Sequence, residues 1–428
     1  MTEIVKRRLL IISIVVSLLP IGVLIHAPVI TSLRTWALYG SAIAGYAGVV
    51  LLLWMYILGT RATSRAFFTD TAPILTIHGW LGKYGSIAIL LHPLLVIYSY
   101  GESLLYAVVP QLGTEFERHV TLGRISFILV VIVWVSSALL RGKLAYRPWK
   151  YIHYIAYICL PFALLHVPDV GSSYMSSAAV KAYYLLLVIA GFVFTLLRLR
   201  SLFNVGRAEY RIKQHTKLMD DTYALTLKPT GASYIAPRRG QYVYIKLGFV
   251  SEDHPFSVVQ YDEKSHEITL AYRVFGTFTD SFSGYEPGET VLLDGAYGTF
   301  TSEISATDRP SVFIAGGIGI TPFVDHILRG DNRERWLFYA SPSKDRATAL
   351  SVLQDELGPR CVPIYSQVPQ PGADSGYISA ELIQRHLPEP SRYDYFICGP
   401  EGLIGTAENA LISLGVSKNQ IFTEKFAF

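Results

Sequence analysis

Six apolar segments, each long enough to cross a bilayer, constrain this chain more than any other feature. They run over about residues 9–27, 36–58, 73–99, 121–140, 150–168 and 179–198. A hydrocarbon core about 30 Å thick needs roughly 20 apolar residues in helical form. Backbone N–H and C=O groups find no water there, so repeated crossings are made as helices packed side by side. Hydrophobic residues make up 51% of the 428 and charged ones only 16%. That composition excludes a disordered chain, a coiled coil and an ordinary soluble enzyme. The first segment follows Lys6-Arg7-Arg8 as a signal-peptide core would. No A-x-A-like cleavage site comes after it and five more spans do, so it is expected to be retained. Cys159, Cys361 and Cys398 form no C-x-x-C pair, which excludes a disulfide scaffold, a zinc finger and a ligated iron–sulfur cluster.

Charge divides the chain near residue 200. The first 200 residues hold sixteen Lys and Arg against six Asp and Glu, and beyond them acids are in excess. Basic residues gather in alternate loops: Lys6, Arg7 and Arg8; Arg61 and Arg65; Arg141, Lys143, Arg147 and Lys150; Arg198 and Arg200. The opposite loops carry Arg34 and Arg118, with Arg124 close by, beside Glu102, Glu115, Glu117 and Asp169. Positive loops stay inside, so the expectation is a multi-pass protein of the cell (inner) membrane with both termini cytoplasmic. The polar second half then works on the cytoplasmic side. No Arg/Lys run suits a nucleic acid, and none is expected as a partner.

Histidine inside a span is costly and usually functional. The third segment holds His78 and His92, fourteen apart, and the fifth holds His153 and His166, thirteen apart. At about 1.5 Å per residue each pair is separated by roughly 20 Å along its helix, which leaves room for two stacked haems. Both segments run in the same direction, so depth pairs His78 with His153 and His92 with His166. Fourteen residues return an ideal helix to within about 40° of one face, whereas thirteen leave it about 140° away. Pro161, between His153 and His166, is expected to bend or rotate that helix. His26 and His119 lie at the outer boundary without matched partners and read as surface histidines.

Beyond Arg200 the pattern becomes short alternating runs, among them residues 242–247, 268–274 and 291–293, separated by Pro237, Gly240 and Pro287-Gly288. These predict a small antiparallel β-barrel to about residue 305. From there strands alternate with helical stretches, which predicts a parallel α/β sheet with a nucleotide at its strand ends. Gly316, Gly317 and Gly319 follow the strand Val312–Ala315 and let backbone approach a pyrophosphate at a helix N-terminus. The domains expected are 1–200 (six transmembrane helices), 201–305 (barrel) and 306–428 (α/β).

These residues resemble the ferric reductase and NADPH oxidase superfamily, in its bacterial branch, over nearly the whole chain. His254-Pro255-Phe256-Ser257, preceded by Gly240-Gln241-Tyr242, is similar to the family's flavin motif H-P-F-S/T. Asp294-Gly295-Ala296-Tyr297-Gly298 resembles its D-G-P-Y-G turn, with Ala296 in place of the usual proline. Gly316 to Phe323, including Thr321-Pro322, resembles its nicotinamide loop, and Cys398-Gly399-Pro400 its C-G-P. In the membrane, Trp149-x-x-x-His153-x-x-x-Tyr157 and His92-Pro93 fit the same branch. Two departures stand out: Val96 where some animal oxidases carry a second histidine, and Cys159 where some relatives place an aromatic between the haems. No EF-hand loop is present, so calcium control of the animal kind is not expected.

The resemblance implies FAD and two b-type haems as cofactors and NADPH as electron donor. Electrons would pass from NADPH to FAD, to the inner haem at His78/His153, to the outer haem at His92/His166, and on to oxygen. A ferric chelate is the alternative acceptor, and a membrane-anchored donor to a partner protein is a third reading. The short outer loops do not require such a partner. Phe256 and Ser257 would lie at the isoalloxazine with His254 bracing the site. Arg273-Val274 and the turn Gly276-Thr277-Phe278-Thr279 would hold the FAD pyrophosphate, because Arg matches phosphate bidentately. Thr321 and Cys398 would border the nicotinamide, and Ser341, Lys344 and Arg346 would bind a 2′-phosphate. Phe428 would stack on the flavin, and Glu424 would assist there.

Overall fold

The computed structural model describes residues 3–425 apart from 27–28, 30, 61–71, 171–174, 249–250, 302–303 and 305. The chain forms two compact units, Met1–Leu202 and Phe203–Phe428.

In the first unit the described residues hold six helical spans: Val5–Leu24, Leu33–Leu58, Ile74–Tyr100, Glu115–Leu139, Tyr146–Pro168 and Ala178–Leu202. Tyr46, Val50, Leu53, Leu160, Leu164 and Leu187 pack between them, while Leu19, Leu186 and Phe192 point outward. An apolar exterior of this kind is matched by lipid rather than water. The protein is a multi-pass membrane protein.

Three spans are not regular, the fourth because it ends in a π-helical turn, Val135–Leu139. A π-helical turn, Leu81–Gly85, interrupts the third between His78 and His92. The fifth is two helices, Tyr146–Tyr154 and Ala156–Val170, that meet at Ile155. A π turn accommodates one extra residue. It thereby brings the fourteen-residue spacing of the third span toward the thirteen of the fifth. The main break in the fifth span therefore falls at Ile155, just after His153, and not at Pro161, which sits inside a continuous helix.

In the second unit six strands close an antiparallel barrel in the order β1-β2-β5-β4-β3-β6. They are β1 Ala208–Met219, β2 Thr222–Pro229, β3 Tyr242–Lys246, β4 His254–Tyr261, β5 Ile268–Arg273 and β6 Thr290–Tyr297. Alternation selects what goes inside: Ala208, Tyr210 and Ile212 are buried on β1, while Glu209, Arg211 and Lys213 face out.

Six further strands form a parallel sheet in the order β10-β9-β8-β7-β11-β12. They are β7 Ser311–Gly316, β8 Arg335–Ser341, β9 Cys361–Tyr365, β10 Asp374–Ser375, β11 Asp394–Gly399 and β12 Ile421–Lys425. Every residue of β7, β9 and β11 is buried, as helices on both faces require. The order leaves β7 outward through β8 to β10 and returns to β11 on its other side. The crevice at the carboxyl ends of β7 and β11 is thus the topological switch point, where such sheets bind their ligands.

Candidate functional site

The four span histidines come together as two facing pairs. The ring centroids of His78 and His153 are 5.9 Å apart with planes at 72°. Those of His92 and His166 are 6.4 Å apart with planes at 74°. Two imidazoles that bind one metal from opposite sides, at about 2 Å from each nitrogen, place their centroids roughly 6 to 6.5 Å apart. The pairs therefore fit a bis-histidine iron.

The hydrogen bonds fit as well. His78 Nδ1 donates to Met55 O at 3.0 Å, His92 Nδ1 to Ser41 O at 2.8 Å and His166 Nδ1 to His119 O at 2.8 Å. A carbonyl only accepts, so in these three rings Nδ1 carries the proton and Nε2 keeps its lone pair for a metal. His153 Nδ1 meets Ser137 Oγ at 3.0 Å, and that hydroxyl also accepts from Trp149 Nε1 at 3.2 Å. Trp149 stacks on the His153 ring at 5.1 Å.

Sequence reasoning missed the glycines that make room for the outer pair. A Cβ at Gly45 would lie 2.9 Å from His92 Nδ1, and one at Gly123 would lie 2.5 Å from His166 Nδ1. Helical glycine costs roughly 1 kcal/mol relative to alanine, so glycine at two such positions is a detectable signal. His119, half-buried, acts through its backbone carbonyl rather than its ring.

In the barrel, His254 stacks on Phe278 at 3.9 Å. Phe256 packs edge-on to Tyr272 at 5.8 Å. Pro255 and Ser257 complete the run at the start of β4, and Ser257 is buried. Gly276 has φ +86°, a conformation that glycine adopts freely. The Thr279 hydroxyl accepts from Phe275 N at 2.6 Å and donates to Gly276 O at 3.2 Å, which closes the turn on itself. Thr277 begins the short helix Thr277–Ser283.

Arg273 is engaged by a carboxylate. Its Nε and a terminal nitrogen both lie 2.7 Å from Asp221 Oδ2, and Val274 N donates to Asp221 O at 2.7 Å. A terminal nitrogen of Arg346 reaches the same Oδ2 at 3.0 Å. The two arginines expected at different phosphates thus share one acid. Lys344 lies with Arg346 in a single helical turn after β8, and the buried Ser341 hydroxyl donates to Ser343 O. Arg273→Ala is expected to weaken FAD binding by about 1.5–3 kcal/mol, the scale of a charged hydrogen bond. Fluorimetric titration of the apoprotein measures it, and unchanged affinity removes Arg273 from the pyrophosphate.

At the switch point the two glycine turns interlock. A Cβ at Gly319 would lie 2.8 Å from the Cys398 carbonyl carbon and 2.9 Å from Gly399 Cα. One at Gly316 would lie 2.9 Å from Pro400 Cδ, whereas Gly317, at φ +55°, faces open space. Pro322 occupies the first turn of the helix Thr321–Arg329, where its missing N–H costs nothing. Thr321 and Cys398 are buried, at 2% and 0% exposure. The Thr321 hydroxyl donates to Ile318 O at 3.0 Å. Glu424 pairs with Cys398 in the parallel ladder of β11 and β12. Burial pushes the Cys398 thiol well above its ordinary pKa, with the Glu424 charge adding to the rise. Phe428 lies outside the described residues.

Comparison with known proteins finds similarity in both halves of the chain. Residues 44–164 match the family described as ferric reductase like transmembrane component, and residues 313–409 the oxidoreductase NAD-binding domain. The reductase component of propane 2-monooxygenase from Mycolicibacterium goodii is 26% identical over 227 residues, 48% of this chain and 64% of that protein. A probable cell surface ferric reductase from Aspergillus oryzae is 24% identical over 313 residues, 67% of this chain and 40% of its own length. The chain thus covers less than two thirds of these relatives. Among solved structures, a ferredoxin NADP+ reductase from Neisseria gonorrhoeae with bound FAD and NADP is similar at 19% identity. It covers 52% of this chain and 99% of that one, with a TM-score of 0.46. The chain thus joins a ferric reductase-like transmembrane domain, residues 44–164, to an oxidoreductase NAD-binding domain, residues 313–409, a combination that matches the ferric reductase and NADPH oxidase superfamily.

Proposed function

We propose that the chain is a transmembrane NADPH oxidase of the cell membrane, with both termini and the reductase module cytoplasmic, and that it delivers electrons to oxygen on the outer face. One NADPH would reduce two oxygen molecules to two superoxide ions, leaving NADP+ and one proton. The observation that carries the reading is the pair of facing histidine pairs, 5.9 and 6.4 Å between centroids, with every Nδ1 hydrogen-bonded. FAD, when bound, accepts two electrons together and releases them singly, which one-electron haem iron requires.

The roles of the chain's own residues follow. His78 and His153 would hold the inner haem, and His92 and His166 the outer. The carbonyls of Met55, Ser41 and His119 fix three of those rings in the ligating tautomer, and the Ser137 hydroxyl orients the fourth. His254 to Ser257 would line the flavin, and Arg273 with the Gly276–Thr279 turn would take its pyrophosphate. The interlocked turns at Gly316–Gly319 and Cys398–Pro400 would seat NADPH, with Thr321 and Cys398 beneath the nicotinamide. Phe428 and Glu424 would complete the flavin side.

A ferric chelate is the second reading for the acceptor, favoured by the similarity to a probable cell surface ferric reductase. The test is to add NADPH to the purified protein under argon, follow haem reduction, and then admit oxygen or a ferric chelate. Haem that stays oxidised under argon refutes the electron path, and the faster reoxidant identifies the acceptor.

Lys344 and Arg346 would bind the 2′-phosphate and favour NADPH over NADH. Arg346→Ala is expected to lower the ratio of kcat/KM for the two nucleotides by about tenfold, the weight of one charged hydrogen bond. A wild-type ratio at or below one leaves this turn as solvated surface.

A further inference from the structure

Arg124 lies in the fourth span, one residue after the glycine that packs against His166, and only 5% of it is exposed. Among the described side chains all its partners are neutral. Nε donates to Tyr106 O at 2.6 Å, and the terminal nitrogens reach Gln111 Oε1 at 3.2 Å and Thr121 Oγ1 at 3.4 Å. The guanidinium also sits over the Tyr106 ring at 4.4 Å. Thr121 Oγ1 in turn accepts from Gln111 N at 2.9 Å and donates to Gln111 O at 2.7 Å, which pins the segment 104–111 onto this helix.

Among the residues whose side chains are described, which do not include Asp169, no carboxylate lies within ion-pairing distance of Arg124. A buried cation in a span is costly unless something compensates it. Pinning one loop does not need a charge, because a neutral amide could make the same bonds. The charge itself therefore calls for a role. The neighbouring metal-binding pair supplies one, since His166 is anchored to His119 O on the same helix and touches Gly123.

We propose that Arg124 is the fixed positive charge that raises the reduction potential of the centre held by His92 and His166. The inference rests on the haem reading above. Adding an electron lowers the charge of such a centre by one, and a nearby buried cation favours the reduced state. Little solvent screens it, because the interaction runs through low-dielectric protein. The inner pair has cations too, but they are placed differently. Arg141 stacks on Trp149 at 4.4 Å and is exposed, and Arg198 lies over Tyr157 at 4.7 Å and is half-buried. Water and counterions screen such charges far more effectively.

The test is an anaerobic optical redox titration of the purified full-length protein. The component that disappears in His92→Ala is the outer centre. Arg124→Gln should move that component alone to lower potential, by at least tenfold in the reduction equilibrium, which is 59 mV for one electron. Arg124→Lys should keep most of the wild-type value. Gln111→Glu leaves the arginine in place and neutralises it with a carboxylate, so it should lower the same component. This variant decides the matter if Arg124→Gln does not fold. An outer component unmoved in these neutralised variants overturns the inference, as does an equal shift of both components. A wild-type protein with fewer than two haems overturns the haem reading itself, a separate result seen before any variant is made.

Discussion

His166→Ala is expected to yield a protein with one haem in place of two by pyridine haemochrome assay. Its NADPH-dependent reduction of oxygen or ferric chelate should fall to background. Flavin reduction by NADPH, which is upstream, should stay near the wild-type rate. His92→Ala should behave alike, because the two rings face each other across one site with centroids 6.4 Å apart. His78→Ala and His153→Ala should break the path one step earlier, leaving a reducible flavin and no haem that NADPH can reduce. Sealed vesicles of known orientation, with NADPH on the flavin side and a membrane-impermeant acceptor on the other, make the measurement decisive. If that acceptor is reduced equally well without the outer haem, electrons leave on the cytoplasmic side and the transmembrane reading is wrong.

Gly319→Ala should strike the other end of the path. Its methyl group would press into the Cys398 carbonyl and Gly399 Cα, backbone atoms that cannot swing aside. The parallel pairing of β7 with β11 holds the two turns in register. Overpacking of this kind costs about 1–3 kcal/mol in stability. The displacement it forces lies where nucleotide must be positioned, and a misplacement of about 1 Å can cost roughly a hundredfold in rate. Stopped-flow reduction of the flavin by NADPH should therefore slow by about two orders of magnitude. Reduction by dithionite should be unchanged, because it bypasses the nucleotide. A variant that oxidises NADPH at the wild-type rate would show that the turns do not shape that site.

Much of this was legible in the sequence because the relevant signals are periodic or chemically loud. Twenty apolar residues in a row, or a histidine within such a run, can be read without coordinates. The fourth span begins at Glu115, six residues before the apolar segment at 121, because Thr114 and Glu117 form a capping box there. Thr114 N donates to Glu117 Oε2 at 2.8 Å and Glu117 N to Thr114 Oγ1 at 3.1 Å. A hydropathy reading passes over Glu115, Glu117 and Arg118, although the T-x-x-E pattern announces the helix start. The π turn at Leu81–Gly85 and the break at Ile155 had no such marker, for both answer to packing between spans rather than to local propensity. Asp221 was invisible for a different reason. It stands 52 residues from Arg273 and 125 from Arg346, and only the closed barrel and the adjoining sheet bring the three together.

The burial of all three cysteines has a chemical consequence for an enzyme whose proposed product is reactive oxygen. Oxidants and alkylating reagents attack the thiolate rather than the thiol, and they need access to it. Cys159, Cys361 and Cys398 are all buried. Burial pushes the Cys361 thiol up to about 12, and burial with the nearby Glu424 charge pushes the Cys398 thiol well above its ordinary value. At neutral pH neither of these two is ionised, and Cys159 is enclosed within the fifth span. The native enzyme thus offers no exposed cysteine thiol to oxidants formed at its own surface, and maleimides should leave its turnover intact until the fold opens.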